Sequence, residues 1–386
     1  MDYQPASAPI TGQRRKASAP IGAISGNGQK WRFPDDVVAY FQPVYSLTQR
    51  RFTAVEALAR IQNAAGEIFA PKQFLATLDV PERRELSRMM LVAGIHLLEK
   101  LDQSGIVLDL SFNVDAGFME DHDCSACFLG VIGSTRIKPE RITLELLEGG
   151  DFLDGSVAVQ RLQSIRATGA HIALDDIGSA YSSLLRLKTL PIQKIKLDQR
   201  LVSDLDADPK NLAFIQGIQF LSDGLGTTLV VEGVETPAIL DAMATLGLDL
   251  VQGYALAYPM PEPDAIAFLL DPALPEATPT APGIPRTILG AYAGYLLRRP
   301  LLYGLRHEGR EMSLSAFLSR CPLASFLRAQ ETAEDHPILA AYTALSALEN
   351  KLPPPEMEAA IRTAGKNIQH LVLEAIKAYG TGRQDP

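Results

Sequence analysis

The sequence has little of what marks secreted, membrane-spanning or zinc-binding proteins. Its 386 residues include only three cysteines, too few for a disulfide framework, which indicates a reducing compartment. No apolar run approaches the roughly 20 residues that cross a bilayer. The first residues also lack the basic and apolar segments of a secretory signal. We therefore expect a cytoplasmic protein without a membrane span.

Positive charge is scarce in the middle of the chain. The net charge is −9, and residues 31–285 contain 20 basic and 34 acidic side chains. Proteins bind nucleic-acid polymers mainly through Lys and Arg that neutralise phosphates, so we expect no such polymer as a partner. A phosphate ester handled by this region would need divalent cations between the like charges.

Two changes in composition divide the chain. Residues 1–30 are rich in Ala, Ser, Pro and Gly around a basic cluster at Arg14–Lys16, which predicts a disordered tail. Five prolines within residues 271–285 predict a semi-rigid linker. Residues 31–270 then form one domain and residues 286–386 a helical C-terminal domain. That last part is either a dimerisation or partner-docking domain, or a ligand sensor.

Eight short apolar runs alternate with helical patterns between these two breaks. This order predicts an α/β protein with a (β/α)8 barrel of the TIM type. The predicted strands are Val38–Leu47, Thr53–Arg60, Ile106–Asn113, Ile142–Leu147, His171–Asp175, Lys194–Asp198, Thr228–Glu232 and Leu250–Gly253. About five residues separate the first two strands, too few for a helical crossover, so we expect an antiparallel first strand.

Polar residues stand at the ends of nearly all the predicted strands, where catalytic groups gather in such barrels. They are Glu56, Asn113, Glu145, Glu148, Asp175, Asp176, Lys196, Asp198, Glu232 and Gln252. None of the six histidines joins them, so the oxygen ligands suit Mg²⁺ or Mn²⁺ better than zinc. Adjacent Asp175 and Asp176 suit a two-metal site, and Lys196 can orient a water, which favours phosphodiester hydrolysis.

The ordered motifs resemble the EAL-domain family of cyclic di-GMP phosphodiesterases. The resemblance runs from about Phe41 to Pro259 and includes the motif that gives the family its name, Glu56-Ala57-Leu58. The other motifs are Phe41-Gln42-Pro43, Asn113-Val114, Glu145-Leu146-Leu147-Glu148, Leu174-Asp175-Asp176-Ile177-Gly178, Tyr181-Ser182-Ser183-Leu184, Lys196-Leu197-Asp198, Glu232-Gly233-Val234-Glu235 and Gln252-Gly253-Tyr254.

The resemblance implies a reaction and a set of residues. The reaction is the hydrolysis of cyclic di-GMP to linear pGpG by a homodimer with two Mg²⁺ or Mn²⁺ ions per active site. The implied metal ligands are Glu56, Asn113, Glu145, Asp175, Asp176 and Glu232. Lys196 would contact the attacking water, Glu232 would also accept a proton, and Glu148 would anchor the loop after the fifth strand. The implied dinucleotide contacts are Gln42, Leu58, Arg60 and Gln252.

Several residues depart from the family pattern. Ile177 replaces an aromatic residue, Ala180 replaces a glycine and Leu147 replaces a threonine. None of them is a metal ligand, so they predict altered dimer-dependent activation with metal binding retained. An alternative therefore stays open: a non-hydrolysing or weakly active cyclic di-GMP receptor that signals through residues 286–386. A different metal-dependent phosphoesterase on the same scaffold is the third possibility.

Overall fold

The structure is a computed structural model. It describes residues 23–24, 30–114, 122–147, 156–178, 187–205, 207–272, 285–304, 321–330, 336–347 and 354–380.

Eight strands close into a barrel. They are β1 (Val37–Ser46), β2 (Arg51–Gln62), β3 (Asp109–Val114), β4 (Ile142–Leu147), β5 (His171–Ile177), β6 (Lys194–Leu197), β7 (Thr228–Val231) and β8 (Leu250–Val251). Strands β2 to β8 run parallel in chain order, and β1 pairs antiparallel with both β2 and β8. The predicted barrel and its antiparallel first strand are both confirmed.

Two short strands pair with β1 and β2 in addition to the eight strands of the closed barrel. Ile68–Phe69 pairs with β2, and Met260–Pro261 pairs with β1. Within the predicted tail, Ala23–Ile24 forms a two-residue ladder with Lys30–Trp31. The Trp31 ring is buried, 5.1 Å from the ring of Phe69, so the chain is fixed to the barrel from this residue onward.

The strand sequences explain the two faces of the barrel wall. In β4, Ile142, Leu144 and Leu146 alternate with Thr143 and Glu145, and all five are buried. A parallel strand covered on both faces has no solvent side, so even its polar residues lie inside the protein. Thr143 and Glu145 contact Lys194 and Lys196 of β6, respectively, which places these four side chains in the barrel interior.

Helices among the described residues lie between the barrel strands, as the alternating pattern predicts. They are α1 (Pro71–Phe74), α2 (Val80–Gln103), α3 (His122–Ser134), α4 (Ser156–Arg166), α5 (Asn211–Leu225), α6 (Pro237–Leu246) and α7 (Glu262–Leu270). Three 3-10 turns lie at Leu75–Thr77, Pro139–Arg141 and Gln199–Leu201. Asp79 caps α2 by accepting a hydrogen bond from the amide of Glu82, and Thr236 caps α6 in the same way from the amide of Ile239.

Four further helices form the C-terminal part of the described chain. They are α8 (Ile288–Gly304), α9 (Pro322–Ala329), α10 (Pro337–Ala347) and α11 (Pro354–Gly380). They bury a common core that includes Tyr292, Leu323, Tyr342 and Val372. The predicted all-helical C-terminal part is confirmed for these residues. Most of the predicted linker, residues 273–284, lies outside the described residues.

The C-terminal helices pack directly on the barrel, because α8 lies against α6. Every residue of α6 from Ile239 to Leu246 is buried. One carboxylate oxygen of Asp241 accepts hydrogen bonds from the amides of Arg286 and Thr287, both at 2.9 Å, and from the Thr287 hydroxyl at 2.8 Å. A side chain at Gly290 would collide with this carboxylate. The barrel and the C-terminal helices therefore share one close interface.

None of the helices in the described ranges combines the length and the apolarity that a bilayer crossing requires.

Candidate active site

The carboxyl ends of the barrel strands bring most of the predicted site residues together. Glu56, Asn113, Glu145, Asp175 and Lys196 lie on β2 to β6, and Glu232 and Gln252 directly follow β7 and β8. Gln42 reaches the same place because β1 is reversed, and its Cα lies opposite that of Glu56. The reversed strand thus adds an amide to a site that is otherwise built from parallel strands.

The Lys196 ammonium lies at the centre of this site, and the residue is only 3% exposed. Its Nζ lies 3.0 Å from Glu56, 2.8 Å from Glu145 and 2.6 Å from Glu232. A fourth carboxylate, Asp175, lies 3.7 Å away. A buried cation needs opposite charges close by, and here four carboxylates provide them.

Amide side chains connect the carboxylates to the rest of the barrel end. Gln252 Nε2 donates to Glu56 at 2.9 Å and to Gln42 Oε1 at 3.0 Å, while Gln42 Nε2 donates to the carbonyl of Ala257 at 3.1 Å. Asn113 Nδ2 donates to the other Glu56 oxygen at 3.0 Å. Gln252 Oε1 is buried and has no hydrogen-bond partner within the described chain.

A second group of carboxylates overlaps the first. Asp175, Asp176 and Glu232 each present one oxygen within 4.8 Å of the others. Asp176 has φ +60°, a left-handed conformation that is uncommon for a residue other than glycine. Its amide donates to Asp175 Oδ1 at 2.9 Å, so the turn holds the two adjacent carboxylates at the same site. Such backbone strain is characteristic of functional positions.

Gly233 follows Glu232 and has φ +73°. A Cβ at this position would lie within 3 Å of Gln199, which belongs to the 3-10 turn after β6. Glycine is therefore required for the chain to leave β7 at this angle and to hold Glu232 toward the site.

Burial and the charges of the site shift the pKa values of its members. Burial raises the pKa of Asp175 to about 6 and that of Glu232 to about 8, although Lys196 opposes both shifts. Burial, together with the charge of Glu56, raises the pKa of Glu145 well above its usual range. Burial would also raise the pKa of Glu56, but Lys196 and hydrogen bonds such as that from Gln252 outweigh it and lower the value.

These residues fit divalent cations. One ammonium is surrounded by Glu56, Glu145, Asp175 and Glu232, and Asp176 lies beside the last two. The site therefore has an excess of four negative charges when all five carboxylates are ionised. Burial of such an excess is unfavourable, as the raised pKa values also indicate. Carboxylate and amide oxygens are the ligands that hard cations such as Mg²⁺ and Mn²⁺ prefer.

A cavity of about 650 Å³ opens beside the carboxylates. Its wall includes Leu58, Asn113, Asp175 and Asp176 on one side and residues of α1 and α2 on the other, among them Arg83. Arg60 does not line this cavity. Its guanidinium lies 5.7 Å over the Tyr40 ring and donates to the carbonyl of Ala59 at 2.8 Å.

Among the described strand-end residues that were predicted, Asp198 does not join the cluster. Asp198 instead caps the 3-10 turn after β6, because its carboxylate accepts a hydrogen bond from the amide of Arg200 at 2.8 Å. Glu148 lies outside the described residues, as does Ala180. Sequence reasoning gave no role to Tyr254, although this residue stands in the Gln252 motif, and it did not include Tyr258. These two exposed aromatic residues pair with each other, which the strand-end pattern does not signal.

Comparisons with known proteins agree with this barrel. The EAL domain family model matches residues 34–259. The chain belongs to the EAL domain family.

Individual relatives cover the same region. The chain is 30% identical over 225 residues to "Cyclic di-GMP phosphodiesterase RocR" of Pseudomonas aeruginosa, a match that covers 58% of this chain and 57% of RocR. It is 32% identical over 221 residues to "Cyclic di-GMP phosphodiesterase PA2567" of the same organism, covering 57% of this chain and 38% of that protein. The chain thus spans about half or less of the length of these relatives.

A solved structure shares the fold. The structure named "PaMucR Phosphodiesterase, c-di-GMP complex" aligns with a TM-score of 0.52 and 25% identity. The alignment covers 60% of this chain and 99% of that one, so the similarity is confined to the barrel.

Proposed function

We propose that this chain is a divalent-metal-dependent phosphodiesterase that hydrolyses cyclic di-GMP to linear pGpG. The observation that carries the proposal is the cluster of five carboxylates, four of them around one buried ammonium, at the carboxyl end of an EAL barrel. The activity for which RocR and PA2567 are named supports the proposal, and the cyclic di-GMP complex of PaMucR supports the same substrate.

Two cations, Mg²⁺ or Mn²⁺, would lie among these carboxylates. One is assigned to Glu56, Asn113, Glu145 and Asp175, and the other to Asp176 and Glu232. Cations held there supply Lewis-acid charge to the phosphodiester. The excess of negative charge at the site and its supply of oxygen ligands support this assignment.

The reaction consumes one water. The water oxygen bonds to phosphorus, the bond from phosphorus to O3′ breaks, and the phosphate stays on the 5′ side of pGpG. Lys196 orients the attacking water from the centre of the site. Glu232 accepts the water proton, because it is the most exposed of the four carboxylates near Lys196, at 19% of its side chain. The O3′ leaving group takes its proton from solvent.

The dinucleotide would contact Gln42, Leu58, Arg60 and Gln252. Leu58 lines the cavity, and Gln252 offers a buried oxygen with no hydrogen-bond donor in the described chain. A donor from a bound nucleotide would satisfy this oxygen, since a buried acceptor is costly to leave unpaired.

We assign Glu148 as the anchor of the loop after β5 and a homodimer as the working state. Helix α5 supports the dimer, because it exposes Phe214 at 51% and Phe220 at 66%. Phe214 lies beside Gly178, which follows β5, so a partner on α5 would also lie close to Gly178.

A receptor without useful turnover is the second candidate. It is favoured by the close contact between α8 and α6, because α6 follows the strand that leads to Glu232. A ligand bound at the carboxylates would then have a direct packing route to a protein partner of residues 286–386.

The deciding experiment incubates the purified full chain with cyclic di-GMP and either Mg²⁺ or Mn²⁺, and measures pGpG by liquid chromatography. We expect Glu56→Gln and Asp175→Asn to lose more than about 100-fold in kcat, in line with the loss of a preorganised charge. Asp264→Asn is the matched control, since Asp264 is an exposed carboxylate on α7.

Each outcome decides between the candidates. Metal-dependent pGpG that disappears in both site variants supports the enzyme. Tight binding without pGpG supports the receptor. Turnover that survives in Glu56→Gln contradicts the two-metal assignment. A chain that shows no binding and no turnover overturns both candidates.

A further inference from the structure

Tyr254 and Tyr258 form an exposed aromatic pair beside the carboxylate site. Their ring centroids lie 4.4 Å apart at an interplanar angle of 24°, so the rings are stacked. Tyr254 is 48% exposed and Tyr258 is 63% exposed. Large aromatic side chains are usually buried or lie at interfaces, and here two of them leave ring surface open to solvent.

The backbone that carries this pair is fixed to the site. Leu256 and Ala257 donate their amides to the Gly253 carbonyl at 3.0 and 3.1 Å, and Ala255 donates to Val234 at 3.0 Å. The Ala257 carbonyl in turn accepts from Gln42, whose partner Gln252 is bonded to Glu56. The rings are thus held at a set position relative to the carboxylates.

Strand register places Tyr254 and Tyr258 beside the half of the β1–β2 hairpin that is nearer the carboxyl end of β2. Met260 and Pro261, just after Tyr258, pair with Phe41 and Tyr40 of β1. Tyr40 lies opposite Leu58, and this pair is two residues nearer the carboxyl end of β2 than the Gln42–Glu56 pair. The tyrosine pair therefore lies on the same rim as Leu58, which lines the cavity.

A cation accompanies these rings. Arg60 lies two residues beyond Leu58 on the same face of β2 and sits over the Tyr40 ring at 5.7 Å. Its charge also interacts with Tyr254. Open aromatic faces beside a guanidinium and next to a phosphoryl-transfer site are the elements that hold nucleotides, by base stacking and by charge.

We propose that the Tyr254–Tyr258 pair is a stacking platform for one purine base of the substrate and that Tyr258 is a substrate-binding residue. The inference rests on the proposed phosphodiesterase function and names a further part of the same site. Stacking acts on the whole bound nucleotide and touches no reacting atom. Loss of the ring should therefore weaken substrate binding and leave the chemical step nearly unchanged.

The test replaces Tyr258 and measures steady-state hydrolysis of cyclic di-GMP by the full chain with Mn²⁺. We expect Tyr258→Leu and Tyr258→Ala to raise KM by about 10-fold to 100-fold, the range of one lost base–aromatic stack, with kcat within about twofold. Tyr258→Phe keeps the ring and should restore the wild-type KM. Val107→Ala, a change at an equally exposed apolar side chain, is the control.

The outcomes separate this inference from the function on which it rests. A wild-type chain that makes no pGpG and binds no cyclic di-GMP removes the proposed function. A wild-type chain that makes pGpG, with the KM of Tyr258→Leu within about twofold of its value, overturns the platform alone. An unchanged KM combined with an altered sedimentation coefficient would identify the pair as a contact between chains and would also overturn the inference.

Discussion

Asp241 joins the barrel to the C-terminal helices, and its replacement should measurably destabilise the protein. The side chain is 2% exposed, and one of its oxygens accepts three hydrogen bonds from Arg286 and Thr287. Asp241→Ala leaves these donors without an acceptor at the start of α8. Each lost hydrogen bond to a charged group contributes about 1.5 kcal/mol or more. Because water can enter and reach some of the donors, we expect a total loss of about 3 kcal/mol.

The assay is urea unfolding of the full chain followed by circular dichroism. Asp223→Ala serves as the control, because exposed positions usually change stability by less than about 0.5 kcal/mol. If Asp241→Ala unfolds within about 0.5 kcal/mol of wild type, the three hydrogen bonds do not hold the interface and the reasoning is wrong. An unfolding curve that splits into two steps would show that the C-terminal helices detach first, which is the expected failure of this contact.

Three other perturbations test the same structure. Gly290→Ala places a Cβ against Asp241 and should lower the thermal midpoint by several degrees, while Gly130→Ala, with open space around it, should not. In metal-free protein, Lys196→Met leaves buried carboxylates unpaired and raises their pKa values, so its stability should fall as the pH rises from 5 to 8 in urea titrations. Asp175 and Glu232, with pKa values of about 6 and about 8, must lose protons before cations bind. The increase in thermal midpoint caused by Mn²⁺ should therefore become larger as the pH rises from 6 to 8.

The strand order and the strand-end residues of the barrel were predictable because both obey local rules. β4 begins and ends where predicted, at Ile142 and Leu147, since its apolar run is preceded by Pro139. The hairpin of β1 and β2 followed from the short connection alone. The carboxyl-end rule then brought Glu56, Glu145 and Asp175 together.

Other features depend on contacts that no local pattern encodes. The predicted eighth strand was longer than the observed β8, because Gly253 begins a turn that accepts the amides of Leu256 and Ala257. Asp198 stands at a strand end like the metal-ligand candidates, yet it serves the following turn. The partnership of Asp241 with residues 45 positions later is equally invisible in the sequence, because it depends on how α8 meets α6.

The reversed β1 also determines where the chain enters the barrel. In a barrel of eight parallel strands the first strand starts at the face opposite the active site, whereas Val37 here lies opposite Ile61, near the carboxyl end of β2. Trp31, packed on Phe69, precedes this entry point. A domain or label fused ahead of Trp31 is therefore tethered on the substrate side. The tether gives this fused domain or label a high local concentration near the carboxylates. A domain or label fused at the opposite face of the barrel would not have that local concentration.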